Sequence, residues 1–208
     1  MMTKQNKHRR SARREFEALL GEIFENPERR ELVIAEIERT YGRDCAVMVL
    51  DTSGFTRTTR KHGIYAFLLM VHQMKRLARP LVEEHAGTVV KEEADNLFCL
   101  FPKCDQAVAA SLAIVAKLDA ANCELPEDLR LYASIGIANG QVIDLAGEDL
   151  FGDAVNLACK LGEDVAQRGE ILITEVGFTQ LEHAVQGRQT EVSVSGMTLP
   201  YRVLREGA

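Results

Sequence analysis

The chain has 208 residues, of which 46% are hydrophobic and 27% are charged, a balance typical of a folded globular domain. This composition excludes an intrinsically disordered chain and a small disulfide-rich scaffold. Residues 1–15 carry six Lys and Arg against one acid, a net charge of +5, whereas residues 16–208 carry 19 bases and 30 acids, a net charge of −11. Because the body is acidic, we expect no nucleic-acid binding.

The N-terminal region predicts a disordered basic head over residues 1–11, followed by helices. Apolar residues recur at helical spacing over residues 16–24, and Asn26-Pro27 interrupts the pattern. A second helical stretch ends at Tyr41-Gly42. This helical leader, residues 12–42, has an apolar stripe that must pack either on the body of the chain or on a partner chain.

The rest of the chain predicts strands and helices in the order β-α-β-β-α-β, followed by additions. The predicted elements are a strand at 46–50, a helix at 64–86 bent near Pro80, strands at 89–90 and 97–101 joined by a turn at 92–96, a helix at 107–118, a strand at 131–137 with a return strand at 142–143 after a turn at Asn139-Gly140, a helix at 153–167, a strand at 171–173, a helix at 175–181 and two strands within 192–203.

This order predicts an α+β fold with a ferredoxin-like βαββαβ core, in which helices pack on one face of a largely antiparallel sheet. The continuous apolarity of residues 46–50 indicates a strand that is covered on both faces, or at least one at the centre of that sheet.

Five cysteines without C-x-x-C spacing indicate reduced thiols and a cytoplasmic protein. No apolar run reaches the roughly 18 residues that a membrane span needs, so we expect no span. The basic start is not followed by the hydrophobic region of a secretory signal.

Two acids stand at the ends of predicted strands, Asp51 after the first strand and Asp95 in the hairpin turn. In this fold the first strand lies beside the hairpin, so the two carboxylates are expected to converge into a site for Mg²⁺ or Mn²⁺. The loop of small residues at 52–56 offers backbone N–H groups that can cradle phosphates. The alternative is that each acid only ends a strand or caps a helix.

A third polar element lies on the helix predicted at 153–167. Asn156 and Lys160 stand at positions i and i+4, on one face of that helix. Such a pair is usually solvated, but Asn156 lies in an apolar turn, and a buried amide there must find hydrogen-bond partners. Cys159 adjoins this face, and we expect it to make the site sensitive to oxidation.

Four segments in this order resemble the catalytic domain of class III nucleotidyl cyclases. They are residues 50–56 (LDTSGFT), 90–95 (VKEEAD), 135–140 (IGIANG) and 151–158 (FGDAVNLA). The resemblance covers roughly residues 44–205 and implies a cyclase homology domain at 43–208. It also implies an adenylate cyclase that converts ATP to 3′,5′-cyclic AMP and pyrophosphate, as a homodimer with active sites at the subunit interface.

The resemblance assigns a role to each candidate site residue. Asp51 and Asp95, with the Thr52 carbonyl, would hold two Mg²⁺ or Mn²⁺ ions per active site. Gly54, Phe55 and Thr56 would lie against the phosphates, with Phe55 anchoring the loop by packing. Lys91 and Asp149 would select adenine over guanine. Asn156 would orient the ribose, and Lys160 stands where the family has an arginine that steadies the transition state.

Several positions depart from the family pattern, and most of the departures remove a cation. The departures are Lys160 for Arg, Ser134 for Arg, Ala138 for His, Ser193 or Ser195 for Lys, and Ala94 for Gly. Because lost charge-assisted contacts raise the barrier, the resemblance implies a slow enzyme. The alternative is an inactive cyclase homology module that binds a nucleotide or a partner in signalling.

Overall fold

An eight-stranded mixed sheet forms the centre of this chain, whose structure is a computed structural model that describes residues 4–53, 55–194 and 196–207. Side chains are described at 12–53, 58–193 and 196–207. The strands are β1 (Gly42–Thr52), β2 (Thr88–Glu93), β3 (Asn96–Phe101), β4 (Ala133–Asp144), β5 (Leu150–Phe151), β6 (Ile171–Thr174), β7 (Arg188–Val194) and β8 (Met197–Arg205).

In the described part of the chain, six α-helices surround the sheet. They are α1 (Lys4–Glu25), α2 (Arg30–Tyr41), α3 (Phe55–Glu84), α4 (Cys104–Asn122), α5 (Asp153–Cys159) and α6 (Glu175–Thr179), with 3₁₀ turns at Pro27–Arg29 and Glu127–Leu129 and a π-helical segment at Lys160–Val165. Among the described residues, no helix is both long enough and apolar enough to cross a membrane.

The strand order is β2-β3-β1-β4-β6-β8-β7, with β5 paired to β4. The first four strands pair antiparallel, β2 with β3, β3 with β1 and β1 with β4, which is the order of a ferredoxin-like βαββαβ core. β6 then adds parallel to β4. The predicted α+β fold class is therefore confirmed.

Strand β1 is buried on both faces, as its continuous apolarity predicts. Met48 and Leu50 pack into a core closed by α3 and α4, whereas Val47 and Val49 pack into a second core closed by α5. The expectation that helices cover only one face is therefore wrong. Each buried aliphatic side chain contributes roughly 1.5–3 kcal/mol, so two covered faces make β1 the strand that anchors the sheet.

Strand β4 does not turn back at Asn139-Gly140, and that prediction is also wrong. The strand continues to Asp144, and both residues pair with β1, Asn139 opposite Ala46 and Gly140 opposite Cys45. β1 is 11 residues long and pairs with every residue of β4 except the last, Asp144. This pairing outweighs the local turn preference of the Asn-Gly sequence.

The helical leader packs on the body of the chain. The Phe16 ring lies edge-on to Tyr41, with 5.7 Å between centroids, and stacks on Phe151 at 6.0 Å. Val33 and Ile37 join the same cluster with Leu145. α1 begins at Lys4, so the backbone of residues 4–11 is helical where the sequence predicts a disordered head. The domain boundaries at 12–42 and 43–208 stay predictions.

Helix α3 is interrupted near its start. Gly63 has φ +80° and ψ 170°, a conformation that glycine adopts without a steric penalty. Pro80, where the sequence predicts a bend, lies inside the helical run. The segment after Gly63 buries Met70, Met74 and Ala78 against the sheet and leads towards the hairpin between β2 and β3.

Candidate active site

The structure brings Asp51 and Asp95 to one edge of the sheet. Asp51 lies at the end of β1, and Asp95 occupies the two-residue turn between β2 and β3, since Glu93 pairs with Asn96. The Thr52 hydroxyl donates a hydrogen bond of 3.2 Å to the Asp95 backbone carbonyl. This bond ties the end of β1 to the hairpin and keeps the two carboxylates in proximity.

The electrostatics of this pair suit a cation. Burial, together with the negative charges of Asp95 and Glu163, raises the pKa of Asp51 to about 6. Among the described residues no group of three or more His, Cys, Asp or Glu is arranged as a metal site. Two carboxylates and a backbone carbonyl are nevertheless hard oxygen donors, and Mg²⁺ typically takes its other ligands from phosphates and water. The donor set therefore fits a divalent cation bound together with a nucleotide.

Glu163 is a charged neighbour that the sequence analysis missed. It lies on the π-helical segment after α5, and the Asn96 side-chain amide donates a 2.9 Å hydrogen bond to its carboxylate. Burial raises the pKa of Glu163, and Asp164 and Asp95 add to the shift. No sequence pattern links residue 163 to the hairpin, because the contact exists only in the folded chain.

Lys75 on α3 was also missed, and it supports the hairpin turn. Its ammonium group donates a 2.8 Å hydrogen bond to the Ala94 carbonyl and lies 3.5 Å from the Glu92 carboxylate. Burial lowers the pKa of Lys75, whereas the nearby Asp95 raises it. Ala94 has φ +47°, in the left-handed region that favours the glycine of the family pattern. Lys75 therefore holds a turn whose backbone is strained.

Lys91 and Asp149, the predicted purine-reading pair, are in direct contact. The Lys91 ammonium donates a 3.1 Å hydrogen bond to Asp149 Oδ1 and lies 2.7 Å from the Glu93 carboxylate. It also lies 5.5 Å from the centroid of the Phe98 ring. The hydrogen bond with Glu93 is the main cause of the raised pKa of Lys91, and Asp149 also contributes. The pair presents one donor and one acceptor side by side.

The leader helix reaches this pair, which nothing in the sequence indicated. Arg13 Nη1 lies 3.8 Å from Asp149 Oδ2, while Asp149 Oδ1 accepts a 3.0 Å hydrogen bond from the Leu150 backbone N–H. Arg13 also makes a 3.1 Å ion pair with Glu17 on its own helix. The helical leader is therefore in contact with the position expected to read the base.

Helix α5 presents Asn156 to solvent. The side chain of Asn156 is exposed, so the idea of a buried amide is wrong, and Lys160 makes a 2.8 Å ion pair with Asp164. Two glycines allow the following segment to approach the sheet backbone. A Cβ on Gly162 would lie 2.9 Å from the Val49 carbonyl oxygen and 3.0 Å from the Gly136 nitrogen. This close packing fixes the position of α5 on the sheet.

The start of the candidate phosphate loop is tied to β4. The Ser53 backbone N–H donates to the Tyr132 carbonyl at 3.0 Å, and the Ser53 and Ser134 hydroxyls are 2.7 Å apart. Ser134 in turn donates to the Gln167 carbonyl at 3.1 Å. Gly54 lies outside the described residues, as do the side chains of Phe55 and Thr56, although α3 begins at Phe55.

The other residues that depart from the family pattern lie away from the carboxylate pair and the purine-reading pair. Ser193 is exposed on β7 opposite Thr198, in the hairpin at the far edge of the sheet, and Ser195 lies outside the described residues. Ala138 is buried in the core beneath α5. Burial and Glu163 raise the pKa of Cys159 to about 12, which argues against the expected sensitivity to oxidation because the reactive thiolate is scarce at neutral pH.

Comparisons with known proteins agree with the resemblance seen in the motifs. No family model matches the chain. It is 30% identical over 133 residues to "Putative adenylate cyclase 3" of Rhizobium meliloti (strain 1021), covering 64% of this chain and 22% of that protein. It is also 30% identical over 161 residues to an adenylate cyclase of Streptomyces coelicolor, covering 77% of this chain and 38% of that protein. The chain therefore spans well under half the length of these relatives.

Solved structures give the same fold. The crystal structure of an adenylate/guanylate cyclase/hydrolase from Silicibacter pomeroyi is 26% identical, with a TM-score of 0.65, over 78% of this chain and 95% of that one. Guanylyl cyclase domains below 25% identity share the fold as well. The resemblance to class III adenylate/guanylate cyclase catalytic domains is confirmed, and the body of this chain has the fold of such a domain.

Proposed function

We propose that this chain is an adenylate cyclase, which converts ATP to 3′,5′-cyclic AMP and pyrophosphate. The contact between Lys91 and Asp149 is the observation that supports ATP over GTP as the substrate. An ammonium group only donates and a carboxylate only accepts, so the pair matches the N1 acceptor and the 6-amino donor of adenine. Guanine presents the opposite pattern at these two positions. The names of the two curated relatives support adenine, whereas guanylyl cyclases share the fold.

The carboxylates of Asp51 and Asp95 and the Thr52 carbonyl would hold two Mg²⁺ or Mn²⁺ ions. Bound ions would lower the pKa of the ribose 3′-hydroxyl and neutralise the triphosphate. Asn156, exposed on α5, would orient the ribose so that its 3′-oxygen faces the α-phosphorus in line with the leaving pyrophosphate. Lys160 would compensate charge on the phosphates once it leaves Asp164. Positioning of this kind suffices without a protein base.

The proposal includes a homodimer with its active sites at the subunit interface. Within one chain, Lys91 and Asp149 form one group, and Asp51 and Asp95 form another. In a two-fold dimer the purine-reading pair of one subunit would face the carboxylate pair of the other. Asn156 is exposed in the single chain, as a residue that works across an interface must be before assembly.

A direct assay tests the proposed activity. Purified chain is incubated with Mn²⁺-ATP or Mn²⁺-GTP, and the cyclic nucleotide is quantified by mass spectrometry. We expect cyclic AMP from ATP, little cyclic GMP from GTP, and no product with Asp51→Ala. Asp44→Ala changes an exposed carboxylate on the same strand and serves as the matched control, which should retain activity. Absence of both products at high protein concentration would contradict the proposal.

The second candidate is a cyclase homology module that binds a nucleotide without turnover. Two observations favour it: Lys160 is paired with Asp164, and Ser134, bonded to Gln167, replaces an arginine. Calorimetry with a non-hydrolysable ATP analogue separates the candidates. Binding by a chain that gives no product would support the module, whereas neither binding nor product would indicate a purely structural role.

A further inference from the structure

A narrow cleft beside the candidate phosphate loop carries two arginines. Its lining includes Ser53 from the end of β1, Thr58 from the first turns of α3, and Arg130, Tyr132 and Arg168. Ser53 follows Asp51 by two residues, so the cleft lies beside the end of β1 that carries this carboxylate. The cleft is too small to enclose a nucleotide. It does, however, bring two guanidinium groups close to the start of the phosphate loop.

Arg168 is held beside this loop by an aromatic ring. Its guanidinium lies 4.5 Å from the centroid of the Tyr132 ring. The backbone carbonyl of the same tyrosine accepts the Ser53 N–H bond. Arg168 also follows Gln167, whose carbonyl accepts the hydrogen bond from Ser134. The backbone just before Arg168 is thus tied to Ser134, whose hydroxyl also contacts Ser53 at the start of the phosphate loop.

The two arginines are not neutralised by carboxylates. Within the described part of the chain, neither Arg130 nor Arg168 makes a salt bridge, and the buried Nε of Arg130 has no hydrogen-bond partner. By contrast, Arg202 and Arg205 pair with Glu175 and Asp119.

Two acids, Glu127 and Asp128, also line the cleft, but Asp128 is already in contact with the side chains of Lys61 and His62. Its carboxylate lies 2.5 Å from Lys61 Nζ and 2.8 Å from His62 Nε2. The cleft therefore keeps guanidinium N–H donors available for an anion.

We infer that Arg168, together with Arg130, binds the phosphates of the nucleoside triphosphate and supplies the cation that Ser134 does not. This inference rests on the proposed function. A guanidinium offers paired N–H donors that match two phosphate oxygens, and stacking on Tyr132 fixes its plane. The phosphate-binding arginine has thus moved from β4 to the turn that follows the π-helical segment.

Binding of two probes to the full chain tests this assignment. Mn²⁺ alone reports on the carboxylate pair, and Mn²⁺-pyrophosphate reports on the phosphate contacts. We expect Arg168→Ala to weaken Mn²⁺-pyrophosphate binding roughly tenfold to hundredfold while Mn²⁺ binding stays within about threefold. Arg168→Lys should fall between wild type and Arg168→Ala, because lysine keeps the charge without the fork. Arg130→Ala should give a smaller loss of the same kind.

Arg39→Ala provides the matched control, because it removes an exposed arginine from α2, far from the site. It should leave the binding of both probes unchanged. Thermal unfolding of each variant shows whether the fold is retained.

Each other outcome overturns the assignment. Equal pyrophosphate affinity in wild type and Arg168→Ala would show that Arg168 does not touch phosphate. Parallel loss of both probes would show a merely structural role for Arg168. In either case, cyclic AMP formation by the wild type would leave the proposed function standing. A wild-type chain that binds neither probe would overturn the proposed function and this inference together.

Discussion

The Lys91 ammonium lies 3.1 Å from the Asp149 carboxylate, although 58 residues separate the two along the chain. β2 supplies the lysine, and the turn before β5 supplies the aspartate. The backbone N–H of Leu150 holds Asp149 Oδ1 at 3.0 Å, so the acceptor is oriented before any nucleotide binds. The geometry of the pair is therefore a property of the folded single chain.

Replacement of Asp149 by asparagine should relax the choice of base. The amide adds a donor where the carboxylate only accepts, so it can face the 6-oxo group of guanine. We expect the ratio of kcat/KM for ATP over GTP to fall roughly tenfold or more. Glu93→Gln, which removes the negative charge of the other partner of Lys91, is the control and should change that ratio much less. An unchanged ratio in Asp149→Asn would exclude the aspartate from base reading.

Asp51→Asn should stabilise the metal-free protein while it removes cation binding. Because the pKa of Asp51 is raised to about 6, the native state prefers the protonated carboxyl. The free energy of unfolding therefore falls as pH rises from about 4 to about 6, and the full cost is present above that range. Since Asp51 is partly exposed, we expect Asp51→Asn to raise the free energy of unfolding by only about 1–2 kcal/mol at pH 7.5.

Urea unfolding in EDTA at two pH values measures this effect. The stabilisation by Asp51→Asn should be present at pH 7.5 and absent near pH 4, where the wild-type carboxyl is already protonated. Asp44→Asn, on the exposed part of β1, should show no comparable gain. Destabilisation of Asp51→Asn at pH 7.5 would contradict the electrostatic account of the site.

Ala94→Gly should stabilise the hairpin that carries Asp95. Ala94 adopts φ +47°, a conformation that costs an alanine roughly 1–2 kcal/mol and glycine little. After the greater entropy of unfolded glycine is subtracted, we expect a net gain of about 0.5–1 kcal/mol in the free energy of unfolding. Ala113→Gly within α4 should instead cost about 1 kcal/mol. Equal destabilisation by the two changes would argue against strain at Ala94.

Arg13→Ala should increase the affinity for ATP slightly. Arg13 lies 3.8 Å from Asp149 Oδ2, the oxygen that the purine amino group would contact. The arginine side chain is half exposed, so we expect KM for ATP to fall by no more than about threefold, and less at high salt. Arg14→Ala removes a neighbouring exposed arginine and should have no effect. A raised KM in Arg13→Ala would mean that the leader assists Asp149 instead of competing with the base.

Local sequence patterns predicted the central strand and the hairpin because both are specified by neighbouring residues. The unbroken apolar run around Val47 and Val49 requires cover on both faces, and the structure provides it. The turn at Asn139-Gly140 was mispredicted because the course of β4 depends on the length of β1, a strand about ninety residues away. Pairing partners of this kind cannot be read from the turn residues themselves.

The residues of the candidate site were likewise predicted only in part. Asp51, Asp95 and Lys91 lie in recognisable motifs, and Asp149 lies two residues before one. The structure brings the four together in two pairs. The surrounding charges were missed. Lys75, Glu163 and Arg168 reach the site from helices and turns that carry no motif, so only the folded chain reveals them.

The most direct test of the account is the formation of cyclic AMP from Mn²⁺-ATP by the purified chain, measured beside Asp51→Ala and Asp95→Ala. The account predicts 3′,5′-cyclic AMP and an equal amount of pyrophosphate from the wild type, and no product from either variant. Product formation that persists in both variants would contradict the assignment of the site. A wild-type chain that forms neither product at high concentration would contradict the assignment of the activity.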